Sequence, residues 1–168
     1  MAKPAPSTFT CDVVLRDIIN DDLPIFFEYQ LDPDANRMAA FTVDDPTNKD
    51  AFLARWSRIR SNPAILNKTI LFNGRVVGNI ARYEEAGHPE ITYWIGKADW
   101  GKGIASRALL LFLEYVAERP LYARAAKDNR GSLRVLEKAG FMIIGEDKGF
   151  SNARREEVEE YLLRLSSS

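Results

Sequence analysis

The spacing of apolar residues changes several times along the chain. Val13, Val14 and Leu15 form a short β-prone run, and Asn20-Asp21-Asp22 then offers a helix cap with acidic first-turn residues, so a strand followed by a helix over about 21–31 is expected. Phe52, Trp56 and Ile59 fall at i, i+4 and i+7, and Thr47 with Asp50 approximates a capping box. These predict a second helix ending near Asn62-Pro63. From Lys68 to Ile95 the pattern shifts to short β-rich runs over 69–72, 76–83 and 91–95, separated by Asn73-Gly74 and by Gly87-His88-Pro89, which predicts an antiparallel meander. Ala105, Ala108, Leu109, Phe112 and Val116 then mark a helix, and 121–125 a strand. Asp128 or Asn129 can cap a further helix carrying Val135, Leu136 and Ala139, closed by Gly140-Phe141, with a strand over 141–144. At the end, Val158, Tyr161, Leu162 and Leu165 keep helical spacing although the order of elements suits a closing strand.

Composition narrows the class. A chain of 168 residues, 46% hydrophobic and without internal repeats, fits one domain with its core over about 10–165 and frayed Pro/Ser-containing ends at 1–7 and 166–168. Twenty-three Lys plus Arg against 24 Asp plus Glu leave a net charge of -1, so no global basic field holds nucleic acid. One cysteine, Cys11, excludes an intrachain disulfide framework; with a single histidine, His88, there is no metal-ligand cluster of the zinc type, and no metal is expected. Met1 to Thr8 hold Lys3, Pro4 and Pro6 but no apolar core for a signal peptide, and no run reaches the roughly 18 apolar residues of a membrane span. The expectation is a cytoplasmic protein, not bound to membrane, with Cys11 reduced and buried in the first strand.

The informative stretch is Ile91-Thr92-Tyr93-Trp94-Ile95-Gly96-Lys97-Ala98-Asp99-Trp100-Gly101-Lys102-Gly103-Ile104-Ala105-Ser106. It reads strand, loop, glycine turn, helix start. Gly101 and Gly103 allow backbone conformations closed to other residues, so amides can converge on an anion while the helix start adds its positive end; pyrophosphate is the natural guest. A Walker loop is excluded because no Gly-Lys-Ser/Thr follows a four-residue spacer. A dinucleotide fingerprint is excluded by the missing third glycine.

The strand Ile91 to Ile95, the turn Trp100-Gly101-Lys102-Gly103-Ile104-Ala105, and Asn129-Arg130-Gly131-Ser132 leading to Glu137-Lys138-Ala139-Gly140-Phe141 together resemble the GNAT superfamily of N-acetyltransferases, in particular its RimJ/RimL-like branch. The likeness spans about Val13 to Leu165. It implies an α/β (α+β) single domain whose central mixed, mostly antiparallel sheet is flanked by helices, with 157–165 a strand against its spacing. It also implies acetyl-CoA as co-substrate, with no metal. The loop amides from Trp100 through Ser106 would wrap the pyrophosphate, and the backbone of Tyr93, Trp94 and Ile95 would pair with the pantetheine. Asn129 would reach the pantetheine amides, and a backbone N–H near Trp94 would polarise the thioester. Relatives place a tyrosine further along the Asn129 helix to protonate the thiolate; this chain has Leu133, Val135 and Leu136 there, which makes Ser132 or water the substitute.

For the base, Glu90 at the start of the central strand is the first choice, with Glu84, Glu85 and His88 as neighbours, although carboxylates beside a hairpin turn are usually solvated. Phe26, Phe27, Tyr29, Met38 and Phe41, in the first two helices and their connection, are candidates for the acceptor pocket, most of them equally at home in the core. Glu156, Glu157, Glu159 and Glu160 read as a solvated acidic face. The expected function is acetyl transfer to a primary amine, either a protein N-terminal α-amine or a small molecule. The rivals are a non-catalytic acyl-CoA-binding module and an RNA-associated module using Lys97, Lys102 and Arg107. Oligomeric state is open, a homodimer included.

Overall fold

Short polar side chains set the start of three helices in this chain, at Asp32, Asn48 and Asn129. In the computed structural model, which describes residues 12–167, α1 (Leu23–Leu31) follows a 3-10 turn at Asn20–Asp22. The expectations for Cys11 and for the first residues lie outside the described range. Directly after α1 comes α2 (Pro33–Ala39), which the spacing of apolar residues does not reveal. Asp32 caps it by accepting from the amides of Asp34 and Ala35 at 2.9 and 3.0 Å, and Pro33 stands at the first helical position, where its missing N–H costs nothing. In α3 (Lys49–Ser61) the cap is Asn48, whose side chain accepts from Ala51 N at 3.0 Å. Thr47, expected to cap, instead bonds Asp45.

The sheet contains β1 (Val13–Arg16), β2 (Leu66–Phe72), β3 (Arg75–Glu85), β4 (His88–Ile95), β5 (Leu121–Ala126), β6 (Met142–Ser151) and β7 (Glu156–Leu165), in spatial order β1-β2-β3-β4-β5-β7-β6. Every neighbouring pair is antiparallel except β4 with β5. Both residues of the Asn73-Gly74 and Ala86-Gly87 turns have positive φ, the twist-matched geometry of two-residue hairpins. Because the second turn ends at Gly87, His88 begins β4 rather than sitting in a loop, and its ring packs 4.9 Å from that of Tyr122.

Two helices, α4 (Ile104–Tyr115) and α5 (Arg130–Lys138), pack on one sheet face around Phe112, Leu109, Ile80 and Leu136. On the other, α1 and α3 enclose Phe26, Phe52 and Trp56. A bulge decides the split: Ile70 pairs with Gly78 and Leu71 with Val76, so Val77 is the extra residue and joins the first cluster with Ile80, three residues on, while Val76 packs against the second. At the end of α5, Gly140 N bonds Glu137 O and Phe141 N bonds Leu136 O, the double closure expected of the Gly-Phe pair. The last segment is the strand β7. Its helically spaced apolar residues do not conflict with this, because helices cover one sheet face and part of the other, so both faces of β7 need apolar side chains.

One irregularity in the sheet positions everything that follows. β4 and β5 share a single partner pair, Glu90 with Tyr122, and beyond it the strands diverge. The backbone of Ile91–Ile95 on that side therefore has no ladder partner.

Candidate active site

The divergence of β4 from β5 opens onto the glycine loop. Gly101 and Gly103 have φ of 76° and 75°, and a Cβ built on either would meet nothing within 4 Å, so glycine is required there for conformation and not for room. Asp99 anchors the loop. Buried at 2% exposure, it accepts two bonds from Arg75 (2.8 and 3.0 Å) and one from Lys102 (2.9 Å). Hydrogen bonds from Arg75 foremost hold its carboxyl below the usual range, outweighing burial. Trp100 completes the anchor by donating its indole N–H to Ile95 O at 2.8 Å. Two expectations change accordingly: the Ile95 carbonyl is already engaged, and the Lys102 ammonium is tied to Asp99 in this state. α4 starts at Gly103 with no side-chain cap, and no acceptor among the described residues faces the amides of Gly101, Lys102 or Gly103. A ring of free donors at a helix start fits a phosphate group.

These amides line a cavity of about 560 Å³ with Trp100, Ile104, Ala105 and Ser106. Its far wall is α5, where Arg130, Arg134 and Lys138, four residues apart, all face it. The cations singled out in the sequence were Lys97, Lys102 and Arg107, of which Lys102 lines this cavity. Lys97 pairs with Asp34, and Arg107 does not line the cavity; the i, i+4, i+8 spacing of the three α5 cations was the available signal. Asn129 caps α5, its Oδ1 accepting from Ser132 N at 3.2 Å.

A second cavity, of about 540 Å³, lies toward α1 and α3. Ala39, Tyr93, Trp94, Asn129 and Ser132 line both, so the two meet beside the open edge of β4. Here the hydroxyls of Tyr93 and Ser132 stand 2.7 Å apart. Burial pushes the Tyr93 phenol up to about 12, the bond with Ser132 acting weakly the other way, so Tyr93 stays protonated at neutral pH. The spacing of α5 gave no hint of this tyrosine, because it comes from β4, 39 residues earlier.

Glu90, the first choice for the base, is buried and not solvated. It is 3% exposed and lines neither cavity; one oxygen accepts from Arg124 Nε at 3.0 Å, the other from Tyr83 at 2.9 Å. Arg124 also bonds Glu160 (2.9 Å) and Asp147 (3.3 Å), so one guanidinium joins side chains of β4, β5, β7 and β6. Glu160 is thus drawn out of the expected solvated run, while Glu159 and Glu157 remain exposed beside Lys127 and Lys148. Of the candidates for the acceptor pocket, Phe26 and Phe41 line the second cavity and Met38 the first, whereas Phe27 packs tilted against Phe52 and Tyr29 closes over Gly96. Among the described residues no group of three or more His, Cys, Asp or Glu is placed to hold a metal ion.

The sequence matches the family described as Acetyltransferase (GNAT) domain over residues 12–142. The chain belongs to this family. A curated relative, the uncharacterised N-acetyltransferase p20 of Bacillus licheniformis, is 27% identical over 86 residues, a match covering 49% of this chain and 48% of that protein, about half of each. Solved structures share the fold. Mycobacterium smegmatis RimJ in complex with CoA-disulfide superposes with a TM-score of 0.77 at 21% identity, covering 92% of this chain and 81% of that one. An N-acetyltransferase from Staphylococcus aureus Mu50 gives 0.76 at 19%, covering 92% and 98%. Spermidine N-acetyltransferase from Vibrio cholerae, in complex with CoA and spermine, gives 0.75 at 17%, covering 92% and 95%. The overall fold of the chain is thus the one these structures share.

Proposed function

We propose that the protein is an acetyl-CoA-dependent N-acetyltransferase acting on a primary amine by direct transfer. The observation that carries this reading is the meeting of two cavities at Tyr93, Trp94, Asn129 and Ser132, one floored by free loop amides and cations, the other walled by aromatic side chains. Acetyl-CoA supplies an acetyl group already activated as a thioester. The amides of Gly101 to Gly103 and the first turn of α4 bind its pyrophosphate, with Arg130, Arg134 and Lys138 balancing the phosphate charge. The open edge of β4 over Tyr93 and Trp94 takes the pantetheine as an added strand, and Asn129 holds its amides.

The chain's work at the junction is positioning and proton transfer. A backbone N–H of β4 near Trp94 supports the carbonyl oxygen as negative charge gathers there. Ser132 Oγ protonates the departing sulfur and is resupplied by the Tyr93 hydroxyl 2.7 Å away. With Glu90 and Glu160 both engaged, the amine loses its proton to water, and rate should rise with pH up to the pKa of the acceptor.

Calorimetric titration with acetyl-CoA, followed by a CoA-release assay on an amine panel, tests the proposal. Saturable binding and amine-dependent release are expected. Binding without release by any amine would leave an acyl-CoA-binding module, and absence of binding would sink the reading altogether.

A further inference from the structure

The two ends of the sheet differ. β1 is four residues long, a short edge of the kind that discourages further pairing; β6 is ten, and no described strand pairs with its outer side. β6 carries four exposed large apolar side chains, Met142 at 72%, Phe150 at 66%, Ile143 at 44% and Ile144 at 42%. One exposed apolar residue needs no explanation, but several on a long edge strand make a template for another strand. The pairing with β7 fixes which way the side chains point. Ile143 opposes Leu163, Glu146 opposes Tyr161, Lys148 opposes Glu159 and Phe150 opposes Glu157, so all four share the face of Leu163 and Tyr161, on which α4 and α5 pack. Asp147, opposite Glu160, points to the other face, 3.3 Å from Arg124.

We propose that β6 pairs with β6 of a second copy of this chain, antiparallel about a two-fold axis at Asp147, so that one sheet runs through a homodimer. The charges along the strand decide both the occupant and the register. A two-fold axis normal to the sheet keeps each face on its own side, so the residue at the axis opposes its own copy, and residues equally far before and after it oppose one another. Near the middle of β6 the axis can stand at Glu146, Asp147 or Lys148. At Glu146 it sets two carboxylates together and Lys148 against Ile144; at Lys148 it sets two ammonium groups together and Glu146 against Phe150. At Asp147, each Glu146 faces Lys148 of the other copy, Gly145 faces Gly149, and the bulge at Ile143 and Ile144 comes beside Phe150. Two opposite-charge pairs and two apolar contacts then form across the junction. The two Asp147 carboxylates meet on the opposite face, where each has its own Arg124. Charges that would repel most strands thus select one, the strand's own copy. The pairing is independent of the acyl-transfer reading and goes beyond it.

Analytical ultracentrifugation of the chain over a wide concentration range tests the pairing, with amide hydrogen exchange along β6 as the local readout. A species of twice the chain mass is expected, and β6 amides should exchange more slowly in the dimer than in the dilute monomer while those of β1 stay unchanged. Lys148→Glu and Glu146→Lys each set like charges opposite one another twice, and each should weaken self-association about tenfold or more. Mixed in equal amounts, the two variants present complementary strands and should associate about as tightly as the wild type. The double variant, with the two charges exchanged, should dimerise on its own. A wild type that stays monomeric at every concentration, or a dimer whose β6 exchange matches that of the monomer, would overturn the proposal without recourse to any variant. A dimer that both single substitutions leave intact would do the same, since it would use another surface. So would folded single variants that associate no better when mixed than alone.

Discussion

The two cavities are built by opposite means. The cavity proposed for the cofactor rests on backbone amides in a continuous stretch, Trp100 to Ser106, whose geometry follows from two glycines and a helix start. On the acceptor side, Phe26, Arg55, Tyr83, Trp94 and Arg124 come from α1, α3, β3, β4 and β5 and meet only once the sheet has formed. A backbone site tolerates almost any neighbouring side chain but not a change of φ; a side-chain site tolerates small backbone shifts but not a change of residue. One cofactor can thus serve many relatives while the acceptor differs.

That contrast breaks most sharply at Gly103. Gly103→Glu places a Cβ at φ 75° and a carboxylate where the proposal puts a phosphate; it should cost about 1–2 kcal/mol of stability, read as a fall of a few degrees in the unfolding midpoint, and weaken acetyl-CoA binding at least about a hundredfold in calorimetry on the folded variant. Retained binding would remove the loop from the cofactor site. At the junction, Tyr93→Phe should lower kcat by about a hundredfold while the KM for acetyl-CoA moves less than about twofold, since the hydroxyl acts on the leaving sulfur and not on the bound phosphates. The wild type should show no loss of rate near pH 10, where an unperturbed tyrosine ionises. The sign for stability follows from the same shift: a phenol raised from 10 to about 12 in the folded protein contributes fully below pH 10, and the contribution is lost as pH climbs through 12. Tyr93→Phe should remove that alkaline sensitivity.

Smaller effects sharpen the same division. Arg124→Leu strands Glu90 in a buried position and should cost about 2 kcal/mol in denaturant unfolding, with activity reduced through loss of strand placement. An unchanged midpoint would show that the guanidinium is not holding the strands. Least of all, Arg134→Gln should weaken acetyl-CoA binding about two- to fivefold at low salt and less at high salt, as expected of an exposed cation.

What could be read from the sequence follows the same line. The loop, the Asn129 cap and the Gly140-Phe141 closure were legible because each is local chemistry, complete within a few residues. The Asp32-Pro33 start of α2 was equally local but carried no apolar stripe to draw attention to it. β7 could not be distinguished from a helix by spacing, since apolar side chains on both strand faces erase the alternation; only the family resemblance gave the strand. The Arg124 network was out of reach: its partners stand 34 and 36 residues away along the chain, and nothing short of the strand order brings them together. The burial of Glu90 is hidden in the sequence for the same reason. Its neighbours in sequence suggest solvent, and its neighbours in space are Arg124 and Tyr83. Gly78 also went unremarked, although a Cβ there would stand 2.0 Å from the Trp94 carbonyl, so the close approach of β3 fixes the very residue that lines both cavities.

The single rung between β4 and β5 has a mechanical meaning. In its ladder pairing the sheet divides into two panels, β1 to β4 and β5 to β6, joined at Glu90 and Tyr122 and stitched by one arginine. A pantetheine chain laid along the open edge would turn the panels into one continuous surface, so that the molecule is stiffest when it is ready to react. Amide exchange across Ile91–Ile95 should then be fast in the free protein and slow in the complex, and slowing there ahead of the outer strands would mark the cofactor as the missing structural member of the sheet.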